Sequence, residues 1–193
     1  MEPPITKAGA ILDSAERLAR IAGYNGFSFR DVAAEVGIKS ASVHYHFPTK
    51  SDLGAALARR YADRFFARLG DPSDLAHPSH TLIERFIAGF RDTLAIDGQM
   101  CLCGLFGAEI AALPEAVGAE VRSFFERAID WLETAYGRAS RGIVGDDTAP
   151  RDRALALIAT LEGALILART LQDPAIFDRV AASAVPGWRP PPR

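Results

Sequence analysis

Apolar residues recur in this chain at intervals of three and four, and nowhere do they alternate with polar ones in a run closed by turn residues. With no strand to pair, such a chain buries its apolar stripes only by packing helix on helix, so the expected fold class is all-α. Ala8, Ile11, Leu12, Ala15, Leu18, Ala19 and Ala22 share one helical face, and Gly23 with Asn25-Gly26 supplies the stop. Ser28 and Asp31 stand at the spacing of a capping box for a second helix, in which Phe29, Val32, Ala33 and Val36 face inward and Gly37 closes the last turn. A third helix must fit between Gly37 and Pro48, with Val43 and Phe47 four apart as its anchors. Thr49 and Asp52 repeat the capping spacing ahead of a longer fourth helix carrying Leu53, Leu57, Tyr61, Phe65 and Leu69. "GDPSDLAHPSH" then breaks the pattern, and helices are expected over about 80–96, 99–112, 115–139, 151–172 and 174–184. Their separators are Asp97-Gly98, Leu113-Pro114, "GIVGDDTAP" and Asp173-Pro174.

The charge is unevenly spread. The whole chain of 193 residues carries −2, yet residues 1–69 hold ten Lys/Arg against seven Asp/Glu, a net +3, leaving residues 70–193 with twelve against seventeen, a net −5. A polyanion is attracted to the first part and repelled by the second. The start "MEPPITKAGAILDS" lacks the basic and apolar regions of a secretion signal. The apolar run "ALALIATLEGALILA" is shorter than a membrane span and broken by Thr160 and Glu162. Cys101 and Cys103 are too close in sequence to staple distant parts of a fold. A cytoplasmic protein without a membrane partner is expected.

Two short helices meeting at Gly37, braced on a longer first helix, form a helix-turn-helix. If Val43 and Phe47 face the core, then Ala41 and Tyr45 face away, with Ser42 and His44 on the flanks and Lys39 and Ser40 at the N-terminal end. Those side chains suit DNA. Hydroxyls donate to phosphates or base edges, Ala and Ser permit close approach to the groove floor, and Tyr, His and Lys reach backbone oxygens, with Lys50 adding a further charge. The same stretch makes a poor metal site, because His44 and His46 lie about 200° apart around a helix. It makes a poor catalytic one too, since no third group orients a base beside Ser40 or Ser42.

The segment "FSFRDVAAEVGIKSASVHYHFPTKSDL" resembles the DNA-binding region of the tetracycline-repressor (TetR/AcrR) family of bacterial transcriptional regulators, and the likeness covers about residues 8–57. "LIATLEGALILARTLQDPAIF" is similar to the penultimate helix and following turn of many members. Two positions depart from the family pattern: Lys39 replaces the usual helix-opening Ser/Thr, and His44 replaces a frequent Tyr. The resemblance implies a helix-turn-helix domain over residues 1–48, a connecting helix over 49–70, a ligand-binding and dimerisation domain over 71–185 and a flexible tail over 186–193. It also implies that Ser28 caps and touches phosphate, that Arg30 reaches a base or phosphate, that Lys39, Ser40, Ala41, Ser42 and Tyr45 face the major groove, and that His44, His46 and Lys50 clamp the backbone. The implied partners are an inverted-repeat operator in double-stranded DNA, a second copy of the chain and an unknown small-molecule effector, with no cofactor, metal or catalytic activity.

In the acidic part, Phe86, Phe90, Phe106, Phe124 and Trp131 are candidates for lining an effector site, with Cys103 and Glu109 as its polar members. Core filling is the stronger explanation for any one ring. The helix near 151–172 is apolar almost all round, so Leu155, Ile158, Leu161, Leu165 and Ala168, continued by Ile176, Phe177 and Val180, are the expected dimer seam. Two rival readings remain: a thiol or electrophile sensor using Cys101 or Cys103, and a metal-binding protein or enzyme using His77, His80 and those cysteines.

Overall fold

The computed structural model describes residues 6–95, 99–139 and 148–190. Asp97-Gly98 and most of "GIVGDDTAP", expected as separators, lie outside the described residues. Among the described residues every regular element is helical: α1 (Lys7–Ala22), α2 (Phe29–Val36), α3 (Ser40–His46), α4 (Lys50–Leu69), α5 (Ser79–Ala95), α6 (Leu102–Ala108), a 3₁₀ turn (Ile110–Ala112), α7 (Glu115–Ala139), α8 (Pro150–Thr170) and α9 (Ala175–Ala184).

The ends of these helices follow local chemistry. Thr6 caps α1 by accepting from the Gly9 amide at 3.1 Å. Ser28 and Asp31 form the full reciprocal box on α2, with Asp31 Oδ2 accepting from the Ser28 amide at 2.8 Å. Thr49 and Asp52 repeat it at 3.0 Å, which places the start of α4 directly after Pro48. Gly37 takes a left-handed φ of 73°, where a side chain is strained, and this turn aims α3 away from α2.

The chain forms two compact units. The first comprises Met1–Asp63 and Leu102–Phe124. Its buried residues include Ile11, Ala15, Val32, Val43, Leu53, Leu57, Phe106, Val117 and Phe124. The second comprises Arg64–Cys101 and Phe125–Arg193. It buries Phe65, Leu82, Phe86, Phe90, Leu132, Leu161, Leu165 and Phe177. Of the proline-rich tail, Trp188 is buried, with its ring 6.4 Å from that of Phe177.

One helical expectation is corrected. The helix foreseen over 99–112 begins only at Leu102 and stops at Ala108, and Glu109 (φ −98°, ψ 8°) leads into the 3₁₀ turn. Gly104 and Gly107 weaken the helical preference of this short run. The Glu109 carboxylate is also committed elsewhere, accepting from the Tyr24 amide at 3.0 Å.

Candidate nucleic-acid interface

The geometry of the first unit starts from Ala33 and Val43, which are 3% and 0% exposed and hold α2 and α3 together. The Ile38 amide donates to the Ala33 carbonyl at 2.9 Å, so the turn satisfies its own backbone. With Val43 and Phe47 inward, the opposite side of α3 presents Lys39, Ala41, His44 and Tyr45, all exposed, while Ser40, Ser42 and His46 are half-buried beside them. Tyr45 is 85% exposed, a large aromatic side chain standing in water on a two-turn helix. Its ring meets His46 edge-on at 5.2 Å. No side chain caps α3: Lys39 occupies the cap position and contributes only its carbonyl, which accepts from the Ser42 amide at 2.8 Å.

The remaining expected contact residues are held in particular ways. His44 packs edge-on against Phe29, centroids 4.5 Å apart, and its Nδ1 lies 3.3 Å from the Pro48 carbonyl. An Nδ1–H tautomer donates there and leaves Nε2 facing outward. The Ser28 hydroxyl is engaged in the α2 cap, donating to Asp31 at 2.7 Å. The Ser28 hydroxyl and amide hold the Asp31 carboxyl below its ordinary range. Lys50 reaches over two rings, its Nζ 4.8 Å from the centroids of both Tyr24 and Phe27. Burial pulls the Lys50 ammonium down from its usual value, while Glu109 and Asp31 oppose the fall.

Several basic residues of the N-terminal third are spent inside the protein. Arg17 pairs with Glu35, Arg59 with Glu120 and Arg60 with Asp13. Arg30 and Lys39, in contrast, are exposed on α2 and at the head of α3. These two carry exposed positive charge on the elements of the helix-turn-helix.

The residues expected around an effector divide between the units. Phe86 and Phe90 stack at 5.2 Å in the second unit, Phe65 meets both edge-on at 5.6 Å, and Trp131 lies 5.7 Å from Phe86 with its Nε1–H donating to the Gly70 carbonyl at 2.8 Å. Phe106 and Phe124 belong to the first unit, where they meet Tyr24 at 5.8 Å and Tyr61 at 5.9 Å. Glu109 also lies in the first unit, on the Tyr24 amide. Cys103 is buried there, and Cys101 is buried in the second unit.

The expected dimer residues are placed more inwardly than their sequence pattern suggests. Ile158, Leu161, Leu165, Ala168 and Phe177 are buried within the chain itself, and Ile176 and Val180 are half-buried. Leu155 is 47% exposed, and the apolar side chains that α8 leaves beside it in water are Ile166, Leu167 and, just past the helix end, Leu171. Nothing would obstruct a Cβ at Gly163, so this face is open there. Which apolar side chains of α8 stay exposed is not legible from its sequence, because a helix apolar all round carries almost no directional signal.

It also passed over Glu162. Both carboxylate oxygens are buried without a hydrogen-bond partner of ordinary geometry. Desolvation pushes the carboxyl up to about 7, with the neighbouring Cys101 thiol tempering the rise as a weak donor. The available signal was a lone acid in "ALIATLEGALILA", which reads equally as an interruption of an apolar run. Among the described residues no group of three His, Cys, Asp or Glu side chains is placed to hold a metal. Nor is any described helix long and apolar enough to cross a membrane.

Comparison with known proteins matches this arrangement along the chain. Residues 11–57 match the family model described as bacterial regulatory proteins, tetR family, and residues 80–183 match that of the LmrA/YxaF-like transcriptional regulator C-terminal domain. The HTH-type transcriptional repressor KstR2 of Mycobacterium tuberculosis is 33% identical over 86 residues, which span 44% of this chain and 43% of that repressor, less than half of each. Among solved structures, a TetR regulator from Agrobacterium tumefaciens is 33% identical with a TM-score of 0.85, covering 94% of this chain and 96% of the other. One from Legionella pneumophila is 32% identical with a TM-score of 0.84, covering 95% and 97%. With an exposed third helix on a helix-turn-helix head, and likeness to the two TetR structures over nearly its full length, the chain belongs to the TetR family of bacterial transcriptional regulators.

Proposed function

We propose that this regulator is a homodimeric repressor that holds an inverted-repeat operator and releases it when a small molecule binds the helical part of the chain. The observation that carries the reading is α3 itself: Val43 is fully buried while Tyr45, two residues on, is 85% exposed. Lys39, Ala41 and His44 stand exposed beside it. A large ring held in water on α3, beside exposed Lys39, Ala41 and His44, suits a major-groove surface, which uses the ring's reach and its hydroxyl. In this reading Ser40, Ala41 and Ser42 approach base edges, Lys39, Tyr45 and His44 grip the flanks, and Arg30 reaches from α2. Ser28, His46 and Lys50 shape and support that face.

The second copy is supported by the open apolar face of α8, Leu155, Ile166, Leu167 and Leu171, since apolar side chains in water are normally covered by a partner. Two reading helices related by a twofold axis call for half-sites about one helical turn, roughly 34–36 Å, apart or a near multiple of it. The test is a footprint of the purified protein on DNA flanking its own gene. Protection of an inverted repeat is expected, and protection without twofold symmetry, or none, would overturn the reading.

A further inference from the structure

Glu162 stands apart from the rest of the molecule's chemistry. It lies at the middle of α8, with Leu161 and Leu165 fully buried beside it on the helix and both of its oxygens shut off from water, met only by the Cys101 thiol as a weak donor. Other acids of the second unit are used: Asp178 on α9 accepts from Arg91 on α5 at 2.6 Å, and Asp130 and Glu133 accept from Arg151. Toward Glu162, in contrast, no cation of α5, α8 or α9 exerts an effect; burial and the Cys101 thiol account for its state. Burying a carboxylate in this way is strongly unfavourable unless a partner arrives.

Resting on the effector-controlled reading above, we propose that Glu162, with the Cys101 thiol beside it, anchors an effector site for a hydrophobic molecule bearing a protonated amine or amidine nitrogen. Two buried oxygens with no donor but a weak thiol match a cation with two or more N–H donors, which satisfies both at once. A ligand carbonyl would take a single proton from the neutral acid and leave the other oxygen bare. Residues 70–193, at net −5, also favour a cation over an anion. The site has a built-in proton linkage. The free carboxyl, poised at about 7, is largely protonated in mildly acidic solution, and a cation must displace that proton to bind. Affinity for the amine should therefore climb about tenfold for each unit that pH rises toward neutrality and level off above it.

The test is calorimetric titration of the full-length dimer with an arylalkylamine series, benzylamine to 4-phenylbutylamine, and with alcohols of matching length, at about pH 6 and about pH 8. Expected are binding of amines in preference to alcohols, tighter binding at the higher pH, and a loss of at least about tenfold, with no pH dependence, in Glu162→Gln. Should that variant fail to fold, the ¹³C carboxyl resonance of Glu162 in the native protein serves instead, and added amine at neutral pH must shift it to the ionised position. Alcohols binding as well as amines, amines binding Glu162→Gln undiminished, no amine of the series binding, or an unmoved carboxyl resonance would each overturn the proposal. Operator binding is measured on the same samples. A protein that holds its operator but ignores every amine sinks this site and leaves the DNA-binding reading standing, whereas one that holds no operator sinks that reading instead.

Discussion

Three residues show how one side chain's surroundings set its role. Lys39 and Lys50 are both basic and eleven positions apart, yet Lys39 is exposed while Lys50 lies 4.8 Å above each of two aromatic rings. Each phosphate contact contributes about 0.9 to the slope of log affinity against log salt. Lys39→Ala is therefore expected to lower the slope by about one unit and Lys50→Ala by clearly less, as measured by operator binding across a salt series. Equal reductions would return Lys50 to the phosphate backbone. Glu162 gives a stability prediction with a definite sign. Its carboxyl is raised from 4.5 to about 7 in the folded chain, so between those values the unfolded chain ionises while the folded one keeps its proton. Rising pH then costs the native protein stability from about pH 4.5 until it levels off above about pH 7. Glu162→Gln, which cannot ionise, should gain on the native chain by about 3 kcal/mol over that window, read from denaturant midpoints. A stability difference that does not change with pH would contradict the burial of this group.

At the scale of elements, the chain between α1 and α2 depends on one contact from a distant segment of the same unit. Gly23 has φ 79°, and a Cβ there would fall 1.9 Å from Glu109 Oε1, the carboxylate that accepts from the Tyr24 amide. Gly37 has a similar φ of 73° but nothing within 4 Å of a Cβ. Gly37→Ala is thus expected to lose about 1 kcal/mol, the cost of the left-handed backbone alone. Gly23→Ala should lose clearly more, because Glu109 must move and free an amide. Combining Gly23→Ala with Glu109→Ala isolates the clash: in the Glu109→Ala background the glycine substitution should cost less than in the native chain but still more than at Gly37, because Gly23, at φ 79° and ψ 179°, sits in a backbone region that only glycine enters readily. The cycle is measured by chemical denaturation, and a cost unchanged between the two backgrounds would show that Glu109 does not brace this loop.

For the whole molecule the question is which face of α8 would meet the proposed second copy. Leu161 is fully buried in its own chain, whereas Leu167 is 49% exposed. Leu167→Glu is expected to give a folded monomer by sedimentation, with operator affinity lost alongside the dimer, because one head alone grips a single half-site. Leu161→Glu should instead lower the melting temperature sharply, as an unpaired charge in the core costs several kcal/mol. A dimeric Leu167→Glu protein would place the seam elsewhere. The division into units sharpens the picture of the C-terminal half: residues 102–124 cluster with the first 63, although they lie far beyond the sequence break at "GDPSDLAHPSH".

What the sequence determined by itself was local. The capping boxes at Ser28 and Thr49, the stop at Gly37 and the limit at Pro48 are set within a few residues of the backbone they act on, so these helix ends and the place of α3 were legible without coordinates. The exposed side of α3 followed as well, because Val43 and Phe47 fix the rotation of so short a helix. Along α8 that logic fails. Leucines, isoleucines and alanines occur on every side, the pattern has no preferred direction, and only packing against α5 and α9 decides that Leu161 and Leu165 turn inward while Ile166 and Leu167 stay in water. The same holds for Glu162 and for Lys50. Whether a carboxylate is solvated or stranded, and whether an ammonium faces phosphate or an aromatic ring, depends on groups brought from 61 and 26 positions away, Cys101 and Tyr24, and no local pattern carries that information.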